Sequence, residues 1–209
     1  RMIDSGTAFM FFTTSILLAL TPGPDNLFVM TQAAQNGRKA GLLVTLGLCT
    51  GILVHTTAVT FGLAALFKAS ETAFSVLKFA GAGYLLYLAW LSFRAGTASG
   101  AAAVADRLSS AALYRRGIIM NVTNPKVSVF FLAFLPQFAD PSKGLLSLQF
   151  MQLGGLFIIS TIVVFGAISF LAGAFGDRFR QSAFAQKLIN RAAAGIFAGL
   201  AIKLALAQR

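Results

Sequence analysis

From Ala40 to Phe67, and again from Gly144 to Gly176, the chain carries no aspartate, glutamate, lysine or arginine. Apolar stretches of that length suit a bilayer, whose hydrocarbon core about 30 Å thick asks for roughly 20 apolar residues per crossing helix. No water is available there for an unpaired backbone N–H or C=O, so a crossing segment must be helical or part of a closed barrel, and runs this long read as helices. Similar runs flank these two and give six spans, at residues 3–36, 41–67, 72–93, 113–138, 145–175 and 184–207. With 209 residues, 57% hydrophobic and 11% charged, little chain is left for a domain outside the membrane. The predicted fold is all-α: one polytopic transmembrane domain over residues 1–209. It divides into a first three-helix repeat at about 1–97, an Ala-, Gly- and Ser-rich linker at about 98–112, and a second repeat at about 113–209.

The formal charge of +11 does not indicate a nucleic-acid partner, because the basic residues sit at the edges of apolar runs rather than on one face. They report topology instead. Arg38, Lys39, Arg94, Arg107, Arg115, Arg116, Arg178, Arg180, Lys187 and Arg191 fall on one side. The other side has Lys68, Lys143, Lys203, Arg209 and Arg1. The richer side is expected in the cytoplasm, with both termini outside. Met2 reads as the natural start and the first apolar run as a retained helix, since Thr21-Pro22-Gly23-Pro24 stands where a signal peptide needs small residues. Cys49 is the only cysteine, so an intrachain disulfide or a thiolate metal cluster is out of reach. Neither a metal nor another cofactor is expected.

Proline placement points to function. Pro22 and Pro24 interrupt the first span and Pro125 the fourth, each near mid-depth. Interrupted helices at corresponding positions of two three-helix halves are the pattern of an inverted-repeat transporter with its site at the bilayer midplane. One such proline reads as a kink. Two around a glycine, matched by Asn124-Pro125-Lys126, remove more backbone order than a kink requires.

A restarting helix presents unpaired N–H groups and a partial positive charge, and Pro24 and Pro125 suit the first helical position. Asp25 and Lys126 would then lie at central depth, where charges are costly enough to suggest function. They are expected either to pair with each other or to clamp the ammonium and carboxylate of an amino acid, in alternate states. The predicted substrate site is Pro22, Gly23, Pro24, Asp25, Asn26, Asn121, Thr123, Asn124, Pro125 and Lys126. His55, mid-way along the second span, and Asp25 are candidates to carry coupling protons. The Gly47/Gly51 and Gly195/Gly199 pairs have the spacing of close helix contacts.

The motifs Thr21-Pro22-Gly23-Pro24-Asp25 and Asn121-Val122-Thr123-Asn124-Pro125-Lys126 resemble those of the lysine-exporter (LysE) superfamily, most closely its threonine and homoserine exporter (RhtB-type) branch. The resemblance continues through Gly37-Arg38-Lys39-Ala40-Gly41, residues 78–85 and Phe134-Leu135-Pro136-Gln137-Phe138. It implies a bacterial inner-membrane exporter of amino acids or close derivatives, driven by the proton-motive force and without a prosthetic group. The partners it implies are an amino-acid substrate, protons and the lipid bilayer, with homo-oligomers left open. A membrane-embedded enzyme and a passive channel for small zwitterions are the alternatives. The enzyme lacks a His-Glu-x-x-His helix or a Gly-x-Ser-x-Gly elbow, and six spans leave little room for a pore.

Overall fold

The computed structural model describes residues 3–69, 71–95 and 108–206, and among them every regular element is helical. The first helix, α1 (Ser5–Leu20), starts where the Asp4 side chain accepts from the Thr7 N–H. It ends before Pro22, and α2 (Pro24–Asn36) restarts with proline at its first turn. Gly37, at φ +85°, closes α2 in a conformation that glycine adopts without a Cβ penalty. There follow α3 (Arg38–Ala69), α4 (Glu71–Arg94) and α5 (Ser110–Val122). After α5 the Asn124 side chain accepts from Lys126 N to start α6 (Pro125–Val129). The chain continues through a π turn (Phe130–Phe134) and a 3₁₀ turn (Leu135–Phe138), where Pro136 withholds its donor. Two long helices finish the fold, α7 (Leu146–Gln181) and α8 (Ala183–Leu206).

Four helices are individually long and apolar enough to cross a bilayer. The pairs α1/α2 and α5/α6 each qualify together, bent by 65° and 49° at their breaks. A deflection below 90° carries the chain onward, whereas a re-entrant loop must turn it back. The protein is therefore a six-span bundle whose first and fourth spans are broken at the prolines. Span limits agree with the sequence reading to within a turn or two. Most of the expected linker, residues 96–107, lies outside the described residues, as do the side chains of Lys68, Arg178 and Arg180.

Helix α3 packs along α5 and α7, α4 along α8, and α1 and α2 both lie on α7. Two apolar cores result. One is built on phenylalanine: Phe130 lies 5.1 Å from Phe134 and 5.2 Å from Phe157 between ring centroids, and Phe11 lies 5.1 Å from Phe138. The other joins Ala19, Val29, Val44, Leu48, Leu113, Val164 and Phe165. Glycine lets α3 and α5 approach closely. A Cβ on Gly117 would stand 2.4 Å from the Val44 carbonyl oxygen, and one on Gly51 would stand 2.6 Å from Asn121 Cβ. Gly195 and Gly199 differ from the sequence expectation, since among the described residues no other helix comes within 4 Å of a Cβ at either. They lie on an exposed face of α8.

Candidate functional site

The site forms where the two breaks meet, and its architecture follows from the donors that proline lacks. In a continuous helix the Leu18 carbonyl would accept from residue 22, which is proline. It accepts instead from Thr21 N at 3.2 Å, from the Thr21 hydroxyl, and from Lys126 Nζ at 3.5 Å. Lys126 Nζ also donates to the Thr21 carbonyl at 3.2 Å. Asn26 turns back to donate from Nδ2 to the Ala19 carbonyl at 2.7 Å. The second break repeats this scheme: Pro125 leaves the Asn121 carbonyl without its usual partner, and Asn124 N and His55 Nε2 each approach it at 3.1 Å. A carbonyl only accepts, so His55 carries its proton on Nε2. The ring also stacks on Phe131 at 5.5 Å.

Each break is thus filled by a basic side chain from another span. Lys126, at the start of α6, places its ammonium at the carbonyl end of α1, and Asp25 lies in the first turn of α2. Both positions match the helix dipole. Lys126 Nζ would be 3.1 Å from a Cβ on Gly23, so a bare backbone is what lets the ammonium reach these carbonyls.

Asp25 and Lys126 do not form an ion pair; among the described residues the ion pairs join Lys143 to Asp4 and to Asp140. Asn124 connects them instead. Its Nδ2 donates to Asp25 Oδ2 at 2.8 Å, and its Oδ1 accepts from Lys126 N at 3.0 Å. Asp25 is 2% exposed, Asn121 3% and Lys126 6%, so the cluster is sealed from bulk solvent. Asp25 Oδ1 and Asn121 Oδ1 are buried without a hydrogen-bond partner among the described residues. Both residues line a small cavity with Lys126 and Thr161, closed on its other sides by Leu18, Ala19, Val127, Phe157 and Phe165. The space open to the centre of a water molecule is about 10 Å³, about one water. A larger groove of about 240 Å³ between α3 and α7 contains no charged group. Leu53, Phe61 and Met151 in its wall are among the exposed apolar side chains, so it belongs to the lipid-facing surface.

Of the residues expected from sequence, Asp25, Asn121 and Lys126 converge on the cavity, and Asn124 and Asn26 hold the breaks. Pro22, Gly23, Pro24 and Pro125 shape the backbone. Thr123 is turned outward, exposed and bonded to the Ile119 carbonyl, so it does not reach the cavity. The sequence reading missed the wall supplied by α7. Phe157, Thr161 and Phe165 recur every fourth residue, the spacing of one helix face, yet an unbroken apolar run offers nothing that singles that face out. No group of three or more His, Cys, Asp or Glu that could hold a metal ion occurs among the described residues.

The sequence pattern of the LysE type translocator family matches residues 16–208, almost the whole chain. The chain belongs to the LysE type translocator family. Curated relatives agree with this. A homoserine/homoserine lactone efflux protein of Salmonella typhimurium is 37% identical over 164 residues, 78% of this chain and 79% of its own. A leucine efflux protein of Salmonella choleraesuis is 31% identical over 205 residues, 95% of this chain and 94% of its own. An uncharacterized membrane protein of Vibrio cholerae is 32% identical over 199 residues, 95% of this translocator and 96% of its own length. No solved structure matches the translocator.

Proposed function

We propose that this translocator exports small zwitterionic amino acids, or close derivatives of the homoserine and leucine kind, across the bacterial inner membrane in exchange for protons. The observation that carries the reading is the central cavity, where two unpartnered acceptors, Asp25 Oδ1 and Asn121 Oδ1, share a buried space with the Lys126 ammonium. The acceptors suit an ammonium group and Lys126 suits a carboxylate, so one amino acid would answer all three. Export, rather than uptake, rests on the named relatives.

The cavity is far smaller than an amino acid, so binding requires the breaks to part. A carboxylate competing for Lys126 would draw its ammonium from the Leu18 and Thr21 carbonyls, which loosens the joint between the first and fourth spans. That coupling of occupancy to helix movement is what a carrier needs and a passive channel does not. Packing supports two inverted halves, since α3 lies on α7 and α4 on α8: the second span meets the fifth and the third meets the sixth. The lysine and arginine asymmetry supports a cytoplasmic Arg94-to-Leu113 connection and outside termini.

Asp25 and His55 remain the candidates for proton coupling. Asp25 Oδ1 has an unused lone pair facing the cavity. His55 can take a second proton on Nδ1 while Nε2 keeps its bond to the Asn121 carbonyl. The test is counterflow in proteoliposomes with a panel of labelled amino acids. Saturable exchange of neutral amino acids, accelerated by an inward proton gradient during net export, is the expected result. Failure to exchange any amino acid would overturn the reading.

A further inference from the structure

In an apolar helix, a buried serine or threonine commonly donates to the carbonyl one turn back. Thr14, Ser15, Thr45, Thr56, Ser160 and Ser169 all do so, at 2.8 to 3.0 Å. Thr161 does not. It is 2% exposed and lies in the middle of α7 next to a Ser160 that bonds normally, yet its hydroxyl makes no hydrogen bond to any described residue. It lines the central cavity between Phe157 and Phe165, one turn to either side.

We propose that Thr161 is the specificity-determining residue of the central site and reads a hydroxyl group on the substrate's side chain. This rests on the amino-acid site proposed above. The ammonium and carboxylate are taken by Asp25, Asn121 and Lys126, which belong to α2, α5 and α6. The substrate's side chain is left to face α7. That wall is aromatic apart from Thr161, whose hydroxyl is not committed to its own helix. An apolar pocket separates a hydroxylated side chain from its aliphatic isostere only weakly. A site with a buried hydroxyl of its own rejects the isostere more strongly, because the isostere leaves that hydroxyl unpaired. Thr161 therefore favours threonine over valine and homoserine over norvaline.

The experiment measures initial counterflow rates of labelled threonine and valine in proteoliposomes, for the wild type, Thr161→Val, Thr161→Ser and Thr161→Ala. The wild type is expected to prefer threonine. Thr161→Val keeps the shape of the side chain and should lower the threonine-to-valine ratio about tenfold, the scale of one hydrogen bond to a buried group. Thr161→Ser should preserve the ratio. Thr161→Ala should lower it as valine does, which keeps the test decisive if the valine variant folds poorly. A wild-type ratio near one, or a ratio unchanged in the valine and alanine variants, would overturn the assignment while leaving amino-acid exchange intact. A wild type that exchanges no amino acid would overturn the proposed function, and this inference with it.

Discussion

The chemistry of individual residues follows from the hydrogen bonds that proline withholds. Lys126 fills carbonyls freed in the first span and His55 the one freed in the fourth, so the two basic groups are also structural donors. Replacing Lys126 with methionine leaves the Leu18 and Thr21 carbonyls short of a buried donor, at a cost of about 1–3 kcal/mol. A fall in detergent melting temperature checks this. At position 55, glutamine can still donate to the Asn121 carbonyl but cannot carry a coupling proton. His55→Gln should stay within about 1 kcal/mol of wild type, whereas His55→Phe should lose about 1–3 kcal/mol by leaving the carbonyl short of a donor. If His55 carries the proton, glutamine should also abolish uphill export while counterflow persists; unchanged uphill export would remove His55 from the coupling path. Sequence singled out Asp25, His55 and Lys126, because rare polar groups stand out in apolar runs. It could not show that Asn124 bridges Asp25 to the α6 backbone, or that Lys126 points at carbonyls rather than at Asp25, because those contacts join residues about a hundred positions apart.

Among elements, span limits were readable because each run ends at charges, proline or glycine. Packing partners were not. Gly47/Gly51 and Gly195/Gly199 have the same spacing, yet among the described residues only the first pair meets a neighbouring helix. Gly117→Ala should cost about 1–3 kcal/mol, because its Cβ would stand 2.4 Å from the Val44 carbonyl oxygen. Gly195→Ala should be neutral or stabilising by up to about 1 kcal/mol, since nothing crowds it and alanine favours helix. Melting temperatures of the two variants test the contrast. Outside the packed helices, Asp4 is an exposed residue that caps α1 and meets Lys143 at 3.2 Å. Hydrogen bonds from Thr7, then the Lys143 ammonium, hold its carboxyl far below the ordinary 3.8. A depressed carboxylate stabilises the fold above its unfolded value and loses that contribution as pH falls through the lower folded value. Asp4→Asn should therefore lower the melting temperature by a constant amount from neutral pH down to about pH 4. The gap should narrow only in stronger acid.

At the scale of the whole molecule, two apolar cores enclose a charged cavity where the broken first and fourth spans touch. The proposed orientation predicts that a reporter active only in the cytoplasm works between Ala98 and Ala105 and fails at the C-terminus. The central claim, that Asp25 and Lys126 grip a zwitterion, is tested most directly by substrate-dependent thermal shift and counterflow of Asp25→Asn combined with Lys126→Gln. Asparagine and glutamine remove both charges from the cavity and keep an amide donor at each position, so the double variant should remain folded. It should still show no shift with amino acid and no exchange, because the ammonium and carboxylate have lost their partners. Wild-type exchange by the stable double variant would contradict the account and leave substrate recognition to the backbone of the breaks.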